Sequence, residues 1–277
     1  MRWPGSARRT PLEWAPGRSA SLFHRERGRG GVPVVLVHGL GMSSRSMLRL
    51  LRRLCGQGRV LAPDLPGCGR TRGGRRVVTA AELAAALTAW LDALGLDDVV
   101  LVGHSLGAQV CCEVAVRQPA RVRALVLVGP TRDPAAPTVA RQVLRLVADV
   151  PREHPGLWAV GALDYLRAGP LRMLRVQAAV LRDPVEVPAA RMRVPTTVVR
   201  GARDPVSGQA WCERLAALVP GAVLRVVPGA AHGVPFSAPG ALARLVGEVR
   251  AADGSGQATP TGSGGNSTSA GCGRSNR

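Results

Sequence analysis

The sequence contains no lysine. All 37 basic residues are arginine, set against 18 acids, and the formal net charge is +19 over 277 residues. A complete absence of Lys reads as a coding bias toward arginine codons, so the charge is discounted as a signal of function. Aromatic residues are scarce too: five Trp, two Phe and one Tyr. Nucleic-acid binders combine a basic surface with stacking aromatics, so no nucleic-acid partner is expected. No apolar run approaches the ~18–20 residues of a membrane span. No apolar stretch follows the first arginines, so no secretory signal is expected. Six cysteines occur and none forms a C-x-x-C pair. Cys111 and Cys112 are adjacent and would point apart on a helix. Buried thiols in a reducing, cytoplasmic compartment are therefore expected. No His/Cys cluster has zinc-ligand spacing, so neither a metal nor another cofactor is expected.

What is present is a chain with 46% apolar residues, enough for one large domain or two small ones. Residues 32–37 are a near-continuous β-branched run, the mark of a strand buried on both faces of a parallel sheet. Further strands are predicted at 59–62, 98–102, 122–128, 196–199 and 223–227, with helices between them. The helix at 79–94 has a capping-box pattern, Thr79 with Glu82, and Gly95 just past its end. Residues 1–18 read as a loose arm with a short strand near 12–14, and 19–25 as another strand. Alternation lapses over 130–193, where helix-like segments are broken by Pro134, Pro137, Pro151, Pro155, Pro170 and Pro184, and no strong strand occurs. The tail, 251–277, holds seven Gly, five Ser and three Thr and reads as disordered. Alternating strands and helices predict an α/β fold with a parallel sheet, whose ligands sit at the carboxyl ends of strands.

The residues that follow each strand carry the chemistry. Gly103-His104-Ser105-Leu106-Gly107 fits G-x-S-x-G between a strand and a helix, the context a nucleophile elbow demands. Small residues two before and two after the Ser keep its hydroxyl exposed on a strained turn. An activated Ser needs a base and an orienting acid. His232 follows the last strand. Asp204, in Gly201-Ala202-Arg203-Asp204-Pro205, follows the strand before it. Asp133 also follows a strand end and is the rival acid. His38-Gly39-Leu40-Gly41 ends the early buried strand. The N–H groups of Leu40 and Leu106 would form the oxyanion hole.

Together these residues resemble the α/β-hydrolase fold family. The likeness rests on His38–Gly41, the loop Asp64-Leu65-Pro66-Gly67-Cys68-Gly69-Arg70-Thr71, the elbow, Gly201–Asp204 and His232, and spans about 19–250. It is closest to capped bacterial esterases and meta-cleavage-type hydrolases. The loop carries Cys68 where the family often has a bulky residue, and Thr71 where Ser is common. The resemblance implies a mostly parallel eight-stranded sheet flanked by helices. Its core would be 19–129 and 194–250, with 130–193 a helical cap over the active site. Seven apolar residues of that segment, Leu144, Val147, Trp158, Leu163, Tyr165, Leu166 and Leu174, are too many for a solvated loop. Some should pack onto the core, and Trp158 and Tyr165 are the expected pocket residues.

The expected activity is hydrolysis of a small-molecule carboxylic ester or related acyl compound, with water as second substrate. The same triad could instead serve a C–C bond hydrolase, a lactonase, a thioesterase or a haloperoxidase-like perhydrolase. A non-catalytic ligand-binding relative of the fold, and an anion-surface binder using the 16 Arg of residues 1–76, are the readings from other classes.

Overall fold

The computed structural model describes residues 5–73, 78–183 and 185–252. Eight strands form one sheet: β1 (Ser6–Ala15), β2 (Arg18–Arg27), β3 (Val34–Val37), β4 (Val60–Pro63), β5 (Val99–His104), β6 (Val122–Val128), β7 (Thr196–Gly201) and β8 (Val223–Val227). Their order is β1-β2-β4-β3-β5-β6-β7-β8. β1, β2 and β4 pair antiparallel and the rest run parallel. The helices are α1 (Leu48–Leu54), α2 (Ala80–Ala93), α3 (Leu106–Arg117), α4 (Val139–Asp149), α5 (Pro155–Ala168), α6 (Pro170–Val180), α7 (Glu186–Arg191), α8 (Gln209–Leu218), α9 (Val234–Ser237) and α10 (Pro239–Ala252).

The central strands β3 to β7 are buried except at Arg123 near the start of β6, which is why they read as largely apolar runs. Two apolar clusters sandwich them. One packs α2, α3 and α8 on one face through residues such as Leu87, Trp90, Val110 and Leu215. The other packs α1 and α10 on the opposite face through Leu50, Leu54, Leu242 and Val246. Thr79 caps α2 and Glu82 reaches back to the Thr79 N–H, forming the capping box that the spacing predicts.

The expected loose arm at 1–18 is corrected: β1 is a ten-residue strand paired with β2 across a Pro16-Gly17 turn. Thr10, Leu12 and Trp14 are half-buried on one side and their neighbours exposed. Pro11 and the arginines obscure this short alternation, but β1 is an edge strand and tolerates a proline there. The region 130–193 holds α4 to α7 and no strand among its described residues. The expected disordered tail lies outside the described residues from position 253 onward.

The strand order reverses between β3 and β5: the chain leaves β3 outward to β4 and then crosses back to β5. Ligands in open α/β sheets bind outside the carboxyl ends of strands at such a reversal. Gly39-Leu40 and Ser105 both stand there.

Candidate active site

Ser105 links β5 to α3 with φ +56° and ψ −120°. A non-glycine residue there carries backbone strain of order 1–3 kcal/mol. Two close approaches hold the turn. A Cβ on Gly103 would overlap the Gly107 carbonyl, and one on Gly107 would overlap the Val37 carbonyl. The two glycines of the motif thus let β5, α3 and β3 meet. The Ser105 N–H donates to the Val128 carbonyl at 2.9 Å, which ties the elbow to the end of β6.

The residue after Val128 is Gly129, and it lies beneath His232. A Cβ at Gly129 would stand 3.0 Å from the His232 ring and 3.3 Å from Asp204 Oδ2, and its φ is +52°. Ser105 is thus bonded to Val128 and His232 stands against the next residue, Gly129, at the end of β6. Asp204 Oδ2 is 2.9 Å from His232 Nδ1. Asp204 Oδ1 accepts the Val206 and Ser207 N–H groups at 2.7 and 2.9 Å. Asp133 is elsewhere employed: it accepts from Ala135, Gly208 and Arg145.

Burial alone would push the His232 imidazolium down. The Asp204 charge and hydrogen bond, with Asp149 and Glu153 behind them, outweigh burial and raise its pKa to about 9. Burial would raise the Asp204 carboxyl, but His232 and the two backbone N–H groups hold it below its ordinary value.

Three residues unassigned by the sequence reading, Asp149, Glu153 and His104, contact His232 or its neighbour, and a fourth, His38, lies in the Gly39–Leu65 loop region. The His232 N–H donates to Asp149 Oδ1 at 3.2 Å, and the Gly233 N–H donates to Glu153. Burial raises the Asp149 carboxyl to about 6, despite the His232 charge beside it. His104, inside the elbow motif, has Nε2 3.0 Å from the His232 carbonyl and its ring 4.9 Å from the His232 ring. Burial, then the His232 charge, lowers its pKa to about 3, so it stays neutral. His38 accepts the Leu65 N–H at Nε2 (3.0 Å) and faces the Gly39 carbonyl at Nδ1 (2.8 Å). Only position within known motifs could have drawn attention to His38 and His104; Asp149 and Glu153 carried no signal.

Leu40 and Leu106 both line a narrow cleft, together with Pro66 and Cys68 from the loop after β4 and Met173 and Val176 from α6. The cleft has room for at most one water molecule, about 10 Å³. Leu106 is the first residue of α3, where helix N–H groups lack intrahelical partners. A larger cavity, about 320 Å³, lies against Arg132, Pro134, Leu181 and Arg214; neither it nor the narrow cleft is lined by Ser105, Asp204 or His232, and the narrow cleft reaches the elbow through Leu106. Tyr165 turns inward, its ring against Gly41, and burial raises its hydroxyl to about 12. Trp158 faces outward, 43% exposed, and is not part of the cleft. Among the described residues, no cluster of His, Cys, Asp or Glu is arranged to hold a metal.

This geometry, a strained serine after a central strand with a His–Asp pair from the last two strands, is that of the α/β hydrolases. The chain belongs to the Alpha/beta hydrolase family, whose model matches residues 34–245, from the start of β3 into α10. It is 32% identical over 288 residues to polyketide synthase ThaQ of Burkholderia thailandensis, covering 92% of this chain and 14% of that protein. It is 42% identical over 103 residues to 2-hydroxy-6-oxo-2,4-heptadienoate hydrolase of Pseudomonas putida, covering 36% of this chain and 37% of that one. The chain thus spans less than half the length of these curated relatives. Among solved structures it is similar to a thermophilic esterase from Thermogutta terrifontis, with TM-score 0.76, 24% identity, and 87% and 97% of the two chains covered. A hydrolase from Pseudomonas aeruginosa matches with TM-score 0.74 and 26% identity over 87% and 97%.

Proposed function

We propose that the chain is a serine hydrolase that cleaves a carboxylic ester or related acyl compound through an acyl-enzyme. The observation that carries this reading is the strained Ser105 turn bonded to Val128, next to the Gly129 that the His232–Asp204 pair covers. Ser105 Oγ attacks the acyl carbonyl, and His232 takes its proton. Asp204, accepting at Nδ1, leaves Nε2 free as the base and stabilises the imidazolium. The N–H groups of Leu40 and Leu106 receive the negative charge that develops on the carbonyl oxygen. His232 then protonates the leaving group, and water, activated by the same base, releases the acid. No step calls for a metal or organic cofactor.

Segment 130–193 is the cap over this site, and Tyr165, not Trp158, is the aromatic residue near the acyl pocket. Buried thiols at Cys111, Cys112 and Cys212 fit a reducing, cytoplasmic setting. A second reading, in which the acyl group arrives as a thioester, is favoured by the likeness to a polyketide synthase across 92% of this chain. Oxygen esters and thioesters of increasing acyl length, given to wild type and Ser105→Ala, test both readings. Turnover by wild type alone supports the mechanism, and the preferred leaving atom separates the two substrates. Equal turnover by both proteins would contradict it.

A further inference from the structure

Twelve large apolar side chains stand exposed among the described residues, and nine of them fall between positions 143 and 174. They are not scattered. On α4, Val143, Leu144 and Val147 share the outward face, while Gln142 and Asp149 face inward and are buried. On α5, Leu163 and Leu166 face out while Asp164 is fully buried. On α6, Leu171 and Leu174 face out at 73% and 46% exposure. A helix on a water-facing surface normally turns its apolar stripe to the core. α4 and α5 carry part of that pattern inside out.

The inward polar groups have an evident purpose. Asp164 accepts from the Ser43 hydroxyl at 2.6 Å and pairs with Arg45, and Arg172 donates to the Gly67 carbonyl at 2.6 Å. Asp149 and Glu153 take the backbone N–H groups of His232 and Gly233. Polar contacts fasten the segment to the loops after β3, β4 and β8; α6 adds Met173, Val176 and Val180 to the core, while the leucines and valines of α4 and the outer faces of α5 and α6 stay outside.

The charges on this face have one sign. All three acids between 139 and 180, Asp149, Glu153 and Asp164, are buried. Arg141, Arg152, Arg167 and Arg175 are exposed. A surface that mixes exposed Leu, Val and Trp158 with arginine, and offers no exposed carboxylate, is complementary to an apolar layer edged by anions. α4 and α5 both pack against α6, so the three faces belong to one assembly. An acidic protein would have to match arginines spread over three helices one by one. A lipid interface presents apolar chains and phosphates everywhere along the face.

We infer that the outward face of α4, α5 and α6 is a docking surface for an anionic lipid interface. Leu144, Leu166 and Leu171 enter the acyl layer, and the four arginines meet headgroup phosphates. The inference is independent of the chemistry proposed at Ser105. The same segment roofs the cleft through Arg172, Met173 and Val176, so docking would set the site beside the lipid.

Co-sedimentation of the full chain with vesicles tests it. Binding is expected to phosphatidylglycerol vesicles, and at least tenfold weaker binding to pure phosphatidylcholine vesicles. Added salt should release the protein, because the headgroup field is screened. A Leu144→Ser/Leu166→Ser/Leu171→Ser variant should lose at least tenfold in partitioning while keeping the wild-type melting temperature. Arg167→Gln and Arg175→Gln should each cost about fivefold. Absence of binding to the phosphatidylglycerol vesicles would overturn the inference, as would equal binding to both lipids. So would a wild-type dimer in solution that the triple variant converts to monomer, because a second copy would then cover the face.

Discussion

The sheet and the helical segment 130–193 solve the same problem in opposite ways. In the sheet layer, α2 turns Leu83, Leu87, Trp90 and Leu91 inward and is held by apolar burial. In the segment, α4 and α5 turn Gln142, Asp149 and Asp164 inward and are held by polar contacts to loops. The first arrangement gives a rigid frame, because cores are close-packed and tolerate little displacement. The second fastens α4 and α5 through a few polar groups, while α6 and α7 add Met173, Val176, Val180 and Ala189 to the core. The frame supplies Ser105, Asp204 and His232, and the roof adjusts them: Asp149 and Glu153 reach from it to the backbone of the His232 loop.

Seven substitutions would break or sharpen this division. Ser105→Ala removes the nucleophile from the frame and should lower kcat on the order of 10⁶-fold, read with any accepted ester. Asp204→Asn should cost about 10⁴-fold by leaving His232 in the wrong tautomer. Asp133→Asn, whose carboxylate holds Arg145 and Gly208 instead, should leave kcat within a few fold of wild type; a reversal of those two effects would move the acid to the end of β6. Gly129→Ala should reduce kcat roughly 10²-fold, because the new methyl group displaces the His232 ring. Full activity there would mean the ring has room to move.

The next test addresses the roof. His232 must be neutral to act as base, so kcat/KM should climb with pH through an apparent pKa well above 6.5, toward about 9. Asp149→Asn removes one raising charge and should move that midpoint down toward 6.5; an unchanged midpoint would show that the roof does not tune the base. The same shift acts on stability. A raised His pKa contributes fully below pH 6.5 and its contribution is lost as pH rises through about 9. The smallest effect is expected from Tyr165→Ala: a change in preferred acyl length with kcat on the best substrate altered only a few fold. Trp158→Ala should leave the preference unchanged, and the opposite pair of results would exchange their places.

The frame was legible because its signals are local. Continuous β-branched runs marked the buried strands, Thr79 and Glu82 marked α2, and glycines spaced two residues either side of Ser105 marked the elbow. Only positions 12–14 of β1 were read as strand, because Pro11 and two arginines interrupt an alternation only three half-buried residues long. The segment was misread for a different reason. Some of the seven apolar residues were expected to pack onto the core and some to line the pocket, since apolar residues usually do. Of the seven named, Leu144, Val147, Trp158, Leu163, Leu166 and Leu174 face solvent, and Tyr165 alone turns inward. Helical period reveals which residues share a face, and it is silent about which face meets the core. Asp149 and Glu153 were invisible because their partners are backbone N–H groups some 80 positions away.

The central claim is that Ser105 is a nucleophile activated by His232. A fluorophosphonate probe reacts with such a serine, and peptide mapping locates the adduct. Wild type should carry one label, on Ser105, formed faster as pH rises, and Ser105→Ala should carry none. An unlabelled wild type, or a label that persists in Ser105→Ala, would contradict the account.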